Sequence, residues 1–193
     1  MNTSTPLLVD DGAPKTDGTE YRINKLTQFN TSPSVTHWQA VKRLLRYLKE
    51  TSQYGVHISP QQSTNLFAYA DVDWAGDIND RRSISGYIIF VGTTPISWCS
   101  RKEPTISCSS TEAEYRAVAF ALSETNWITH FLKDLHMPLS DVPTILCDNL
   151  GVTYIAENPV HHTKMKNLEV DFDFVRNQVR NGLVQVSHVH SAD

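Results

Sequence analysis

The chain has no long hydrophobic run. In 193 residues no apolar stretch approaches the ~18 that a membrane-spanning helix requires, so no membrane partner is expected. The opening MNTSTPLLVDDGAPK lacks the basic flank and apolar stretch of a signal peptide. Cysteine is scarce. Cys99, Cys108 and Cys147 are odd in number and have no CxxC spacing, which argues against a disulfide framework or a zinc site. They point to an intracellular, reducing compartment, cytoplasm or nucleus. Basic charge is not in excess either: 17 Lys+Arg stand against 21 Asp+Glu, a net charge of -4. That excludes a strongly basic nucleic-acid coat but leaves room for a local basic patch. With only 8 Gly and 9 Pro, and a hydrophobic fraction of 40%, the chain is neither low-complexity nor short of core material.

What is present falls into three stretches. Residues 1–30 read as a flexible tail or linker, punctuated by Asp10, Asp11, Gly12, Pro14, Asp17 and Gly18. Residues 31–62 hold one helix and a short extension. Ser34 or Thr36 can cap that helix, and Trp38, Val41, Leu45 and Leu48 follow at spacings of three and four as an apolar stripe. Lys42, Arg43, Arg46 and Lys49 occupy its other faces. A solvated surface explains these charges, and so does contact with a phosphate backbone.

From residue 63 to 193 the pattern is that of a mixed α/β domain. LFAYADVD, SGYIIFVG and TPISWCS read as an antiparallel three-strand meander. Ser109 or Ser110 then caps a long helix, with Ala117, Ala121 and Leu122 on one face and Trp127, Phe131 and Leu135 carrying the apolar surface onward. TILCD is a short strand, NLGVTYIAEN a helix, Lys164 to Asn181 contains another, and LVQVSHVH closes as a strand. The order βββαβααβ, after the N-terminal amphipathic helix, predicts helices packed on a mixed sheet.

Three acids stand where burial discourages acids: Asp71 in an apolar strand, Glu114 near the start of the long helix, and Asp148 at the end of Thr144-Ile145-Leu146-Cys147. Singly, each has an ordinary explanation. Asp148 can cap a helix, Glu114 can offset a helix dipole, and Asp71 can belong to a turn. Together, two strand ends and a helix start can bring three carboxylates close, and like charges at that range need a cation. An all-oxygen ligand set suits magnesium or manganese.

The residues around these acids sharpen the reading. AYADVDWAGDINDRRSISGYIIFVGTTPISWCSRKEPTISCSSTEAEYRAVA, with ILCDN and ENPVHHTKMKNLEVDFDFVRN, resembles the ribonuclease H domain of copia-type LTR retrotransposon Pol polyproteins from about Leu66 to the C-terminus. Upstream, SPSVTHWQAVKRLLRYLKET looks like the connection segment that precedes that domain, and TPLLVDDG and TEYR look like linker. A further polymerase stretch normally lies between the positions of Arg22 and Ile23, so no polymerase activity is expected. The resemblance implies a ribonuclease H-like fold with a five-stranded mixed sheet. It implies that Asp71, Glu114 and Asp148 are the catalytic acids and ligate two Mg2+ ions (with Mn2+ as a substitute), and that the RNA strand of an RNA–DNA hybrid is hydrolysed. The chemistry is two-metal catalysis, in which ions ~3.5–4 Å apart hold the attacking and leaving oxygens.

Other residues have two readings each. Asp73 shares a strand face with Asp71, so it can face the metals, touch nucleic acid or begin a loop. Asp77 and Asp80 read as loop solvation. Ser109, Ser110 and Thr111 can hold phosphate oxygens at a helix N-terminus or simply cap the helix. Asn149 can reach the minor groove of the hybrid, where shape and 2′-hydroxyls are read. Asn167 and Asp173 stand where the family usually shows histidines. The chain ends before the family's fourth metal-site aspartate and last helix. Weak activity is therefore expected, along with possible self-association through apolar surface left at Leu183, Val184, Val186 and the neighbouring sheet. His188, His190 and Asp193 either substitute in part for that acid or are surface residues. A different class of function stays open: a non-catalytic, retrotransposon-derived module that binds nucleic acid or protein. A structural connection fragment is a third.

Overall fold

The computed structural model describes residues 26, 29–58, 64–157 and 169–190. The expected tail therefore lies mostly outside the described residues, as do Asn167 and Asp193. Two compact units are distinguished: the chain up to Val56 with Ile78–Asp80, and His57 onward without those three residues.

The first unit is organised by helix α1, Val35–Glu50. Ser34 is its cap. The Ser34 hydroxyl accepts from the His37 backbone N–H, and His37 Nδ1 accepts from the Ser34 N–H at 3.1 Å. This is a capping box in which an imidazole does the work usually given to glutamate. His37 is fully buried and stacks on Phe29 at 4.2 Å. Leu26, Phe29 and Val41 form the core, flanked by Trp38, Ala40 and Leu44. The expected stripe is corrected at two places. Leu45 and Leu48 are exposed: the packed line runs through the buried His37 and Val41 to the partly buried Leu44, Leu45 stands to one side of it, and Leu48 continues it past the last residues that pack on it. Thr51 ends the helix, sending both its N–H and its hydroxyl to the Tyr47 carbonyl.

The second unit contains strands β1 (Leu66–Asp73), β2 (Ile84–Val91) and β3 (Thr94–Lys102), helix α2 (Ser110–Asp134), strand β4 (Thr144–Cys147), helices α3 (Leu150–Glu157) and α4 (Glu169–Arg180), and strand β5 (Gln185–His188). This is the expected βββαβααβ order. The sheet runs β3-β2-β1-β4-β5, antiparallel across β3, β2 and β1, and parallel across β1, β4 and β5. Strict alternation in β1 sends Leu66, Ala68, Ala70 and Val72 into the core and Phe67, Tyr69, Asp71 and Asp73 to the other face. The core joins Leu66, Ala68 and Ala70 to Ile89, Ile145 and Val186 of the sheet, Val118 and Leu122 of α2, Val152 of α3 and Val175 of α4, while Val72 packs with Ala113 and Ala117 in a smaller cluster.

The apolar face of α2 is shifted from expectation. Its buried line is Val118, Leu122, Thr125, Ile128 and Leu132, at spacings of three and four. Trp127, Phe131 and Leu135 fall out of step with it and are exposed, with Trp127 and Phe131 stacked on each other at 5.4 Å. Val184 and Val186 are likewise buried in the core and present no surface, although Leu183 is exposed. The apolar surface of this sheet lies on its opposite face. There Phe67, Tyr69 and Phe90 make an aromatic cluster with ring centroids 5.3–6.0 Å apart, and Trp98 stands exposed. Among the described residues no helix is long and apolar enough to cross a membrane.

The buried line of α2 is testable. Leu122→Ala should cost about 2–5 kcal/mol, and Trp127→Ala under ~1 kcal/mol, both read from urea denaturation. Equal losses would show that the exposed aromatic pair contributes to the core.

Candidate metal centre

The parallel pairing of β1 and β4 sets the site. Tyr69 is opposite Leu146 in register. Two residues further along each chain lie Asp71 and Asp148, on the same side of the sheet because side chains alternate with a period of two. Asp148 leaves the sheet directly after Cys147, where the chain turns into α3. Glu114 arrives from the first turns of α2. One carboxylate oxygen from each of Asp71, Glu114 and Asp148 lies within 4.8 Å of the others. Among the described residues no other acid joins this group.

The three acids sit in different surroundings. Asp71 and Asp148 are exposed, and Asp71 Oδ1 accepts from the Val72 N–H at 2.8 Å. Glu114 is half-buried, and its Oε2 is buried with no hydrogen-bond partner. Burial first, then the charges of Asp148 and Asp71, push the Glu114 carboxyl up to about 7. Three converging carboxylates, one of them with a buried oxygen that has no hydrogen-bond partner, are a set of hard oxygen donors, and a divalent ion fits it.

Supporting contacts fix both helix starts. Ser109 caps α2, its hydroxyl accepting from the Glu112 N–H at 3.1 Å. Glu112 accepts from the Cys108 N–H and pairs with Arg116 at 2.9 Å, and Arg116 also bonds Thr105. Asn149 Oδ1 accepts from the Gly151 and Val152 N–H groups at the start of α3. A Cβ at Gly151 would lie 3.7 Å from the Thr111 methyl, so the two helix starts are neighbours. Ser110 is exposed. Of the four polar residues read as nucleic-acid contacts here, Ser109 and Asn149 thus have their side-chain oxygens engaged as caps.

Asp73 behaves differently from Asp71. Its carboxylate folds over Gly76, where any Cβ would collide with it, and it is not among the converging acids. The reading of Asp77 as loop solvation is corrected. Asp77 is 3% exposed and paired with Lys102 at 2.7 Å, which ties the loop after β1 to the end of β3. Trp74 adds a second tie, its indole N–H donating to the Ser107 carbonyl at 3.3 Å.

His188 is the neighbour that sequence reasoning left undecided. It pairs with Cys147 across β4 and β5, and its Nε2 lies 3.2 Å from the Asp148 carbonyl, so it donates there. A histidine one strand away in register with the residue before an acid was the available signal. His190 is exposed and meets the His188 ring edge-on at 6.4 Å, while Asp173 is exposed on α4.

A mixed sheet in this order, with acids from β1, from the helix after the meander and from the end of β4, defines a ribonuclease H-like protein. An RNase H1 isolated from compost by a metagenomic approach has the same fold. It is 16% identical, with a TM-score of 0.50, over 67% of this chain and 86% of that one. The chain belongs to the copia-type LTR retrotransposon Pol polyproteins. The retrovirus-related Pol polyproteins from transposons RE2 and RE1 of Arabidopsis thaliana are each 42% identical over 212 aligned residues and cover 100% of this chain. The chain spans 15% and 14% of their respective lengths. No family model matches it.

The raised Glu114 carboxyl predicts a stability slope. An unfolded glutamate ionises from its ordinary 4.5, whereas the folded one resists until about 7. Glu114 therefore removes stability as pH rises through that window. In EDTA, wild type should lose stability relative to Glu114→Gln between pH 4.5 and 7, with the difference constant above pH 8. Added Mn2+ should stabilise wild type above pH 7 and the variant less. Parallel pH profiles in urea denaturation would refute this.

Proposed function

We propose that the chain is a ribonuclease H-type endonuclease that hydrolyses the RNA strand of RNA–DNA hybrids with divalent ions. The observation that carries the reading is the convergence of Asp71, Glu114 and Asp148 within 4.8 Å, with one Glu114 oxygen buried and without a hydrogen-bond partner. The fold it shares with an RNase H1, and its membership among retrotransposon Pol polyproteins, support the same activity.

In this reading the three carboxylates hold Mg2+ or Mn2+, two ions per site. When bound, such ions make water a better nucleophile and offset charge on the departing oxygen of an in-line displacement. The residues of the chain supply position. Asp71 is oriented by the Val72 N–H. Asp148 is carried on a turn whose carbonyl is held by His188 and whose following residue caps α3. Glu114 is aimed by an α2 start that Ser109, Glu112 and Arg116 lock in place. Its partial burial discourages it from ionising without a cation, so the site gains most negative charge when an ion arrives. On this reading Ser110, Thr111 and the Asn149 amide NH2 touch the phosphates and 2′-hydroxyls of the hybrid, with Ser109 serving chiefly as the cap. Asp73 acts by shaping the loop after β1. Products carry a 5′ phosphate and a 3′ hydroxyl.

A labelled hybrid incubated with Mg2+ or Mn2+ tests this, against single-stranded RNA and duplex DNA. Cleavage should be confined to the hybrid, abolished by EDTA, and faster in Mn2+, which binds N/O sites more tightly. Asp71→Asn should abolish cleavage while leaving the fold intact and, in EDTA, raising the urea midpoint, since it removes one of three mutually repelling charges at constant shape. If the hybrid is bound but uncut in both metals, a non-catalytic binding module replaces the enzyme.

A further inference from the structure

The charge of the chain is unevenly distributed, and the metal centre makes no use of that. Between residues 29 and 58 stand four cations, Lys42, Arg43, Arg46 and Lys49, and one acid, Glu50. This stretch carries +3, so the rest of a chain of net charge -4 carries -7. All four cations lie on α1, and all are exposed. Lys42, Arg46 and Lys49 follow at i, i+4 and i+7, which places them in one stripe, with Arg43 beside it. That stripe is opposite the buried His37, Val41 and Leu44. Lys42 also lies over the Trp38 ring at 5.3 Å, which holds its ammonium at the surface.

We infer that this face of α1 binds the phosphate backbone of a nucleic acid. A solvated helix face in a protein normally mixes both signs, since i,i+4 pairs of opposite charge stabilise it and like charges at that spacing do not. Here Lys42 and Arg46 repel each other at i,i+4, and the only acid of α1, Glu50, stands at i+4 from Arg46 on its last residue, one negative charge against four positive. The arrangement costs helix stability and is relieved by an anionic partner. Lys42 to Lys49 spans about 10 Å at ~1.5 Å per residue, and over that length a duplex presents about six phosphate charges. With the rest of the chain net negative, this face is where the attraction for a polyanion is concentrated. The inference concerns backbone contact only, so it carries no sequence preference. It stands apart from the cleavage proposed above, because binding here needs neither the acids nor a metal.

The test uses the full chain in EDTA and a fluorescent 20-base-pair RNA–DNA hybrid, with anisotropy measured from 50 to 300 mM KCl. Wild type should bind with log affinity falling linearly in log salt, at about 0.9 per phosphate contact and so up to a slope near 3.6. Lys42→Gln, Arg43→Gln, Arg46→Gln and Lys49→Gln combined should flatten that slope. Glutamine is a good helix former, so circular dichroism should show α1 intact. If the combined variant misfolds, Arg46→Gln and Lys49→Gln singly should each lower the slope by about 0.9. The exposed pair Lys133→Gln and Arg180→Gln should change affinity by less than about twofold. Three outcomes would overturn the inference: an unchanged slope in the α1 variants, an equal loss in the control pair, or tighter binding to phosphatidylserine vesicles than to the hybrid. Binding that behaves as expected in a chain that never cuts the hybrid would refute the nuclease reading and leave this one standing.

Discussion

Mutual repulsion among three carboxylates is the constraint on which the site depends. Asp71, Glu114 and Asp148 come within 4.8 Å of one another although each would be more stable apart. The fold enforces the arrangement by attaching each acid to an element that cannot move independently. Two of them extend neighbouring parallel strands, and the third rides on a 25-residue helix whose inner side is packed along its length. The remaining strain falls on the half-buried member, Glu114, and a cation relieves it. Hard oxygen ligands, half-open to solvent, suit a divalent ion that keeps some of its water.

The surroundings of the acids are stiffer than their exposure suggests. The loop after β1 is tied by the buried Asp77–Lys102 pair and by the Trp74 indole. The entry to α2 is tied by Ser109, Glu112 and Arg116, and the entry to α3 by Asn149. Few of these ties involve the acids themselves. They instead fix the backbone from which the acids project, and this is how carboxylates are held in place without their own oxygens being used up.

On the nuclease reading, the acidic cluster and the basic helix would divide the work of meeting a polyanion. An anionic cluster that must approach phosphate cannot also attract it until metal is bound. On that reading a cationic face elsewhere in the chain would supply the long-range attraction, and the acids local geometry once a metal had neutralised their charge. Such a division explains how a chain of net charge -4 can be suited to a nucleic-acid substrate.

The order of elements, the sheet class and the three acids were legible in the sequence, because alternation, helix caps and short motifs are local properties. Asp71, Glu114 and Asp148 announce themselves as charges set among apolar neighbours, and Ser34 and Ser109 as hydroxyls at the head of helical periodicity. Tertiary structure alone decided which of several equivalent apolar lines is buried. Leu45, Leu48, Trp127 and Phe131 fit a helical stripe as well as Leu44, Ile128 and Leu132 do, and only the direction from which the sheet or the loop approaches selects between them. The same holds for Asp77, since nothing near it in sequence shows that Lys102, 25 residues away, neutralises it. It holds also for Asp73 and His188, where one is turned aside by a glycine contact and the other is brought against Asp148 by strand register. Local pattern specifies what an element is, while long-range packing specifies which way it faces.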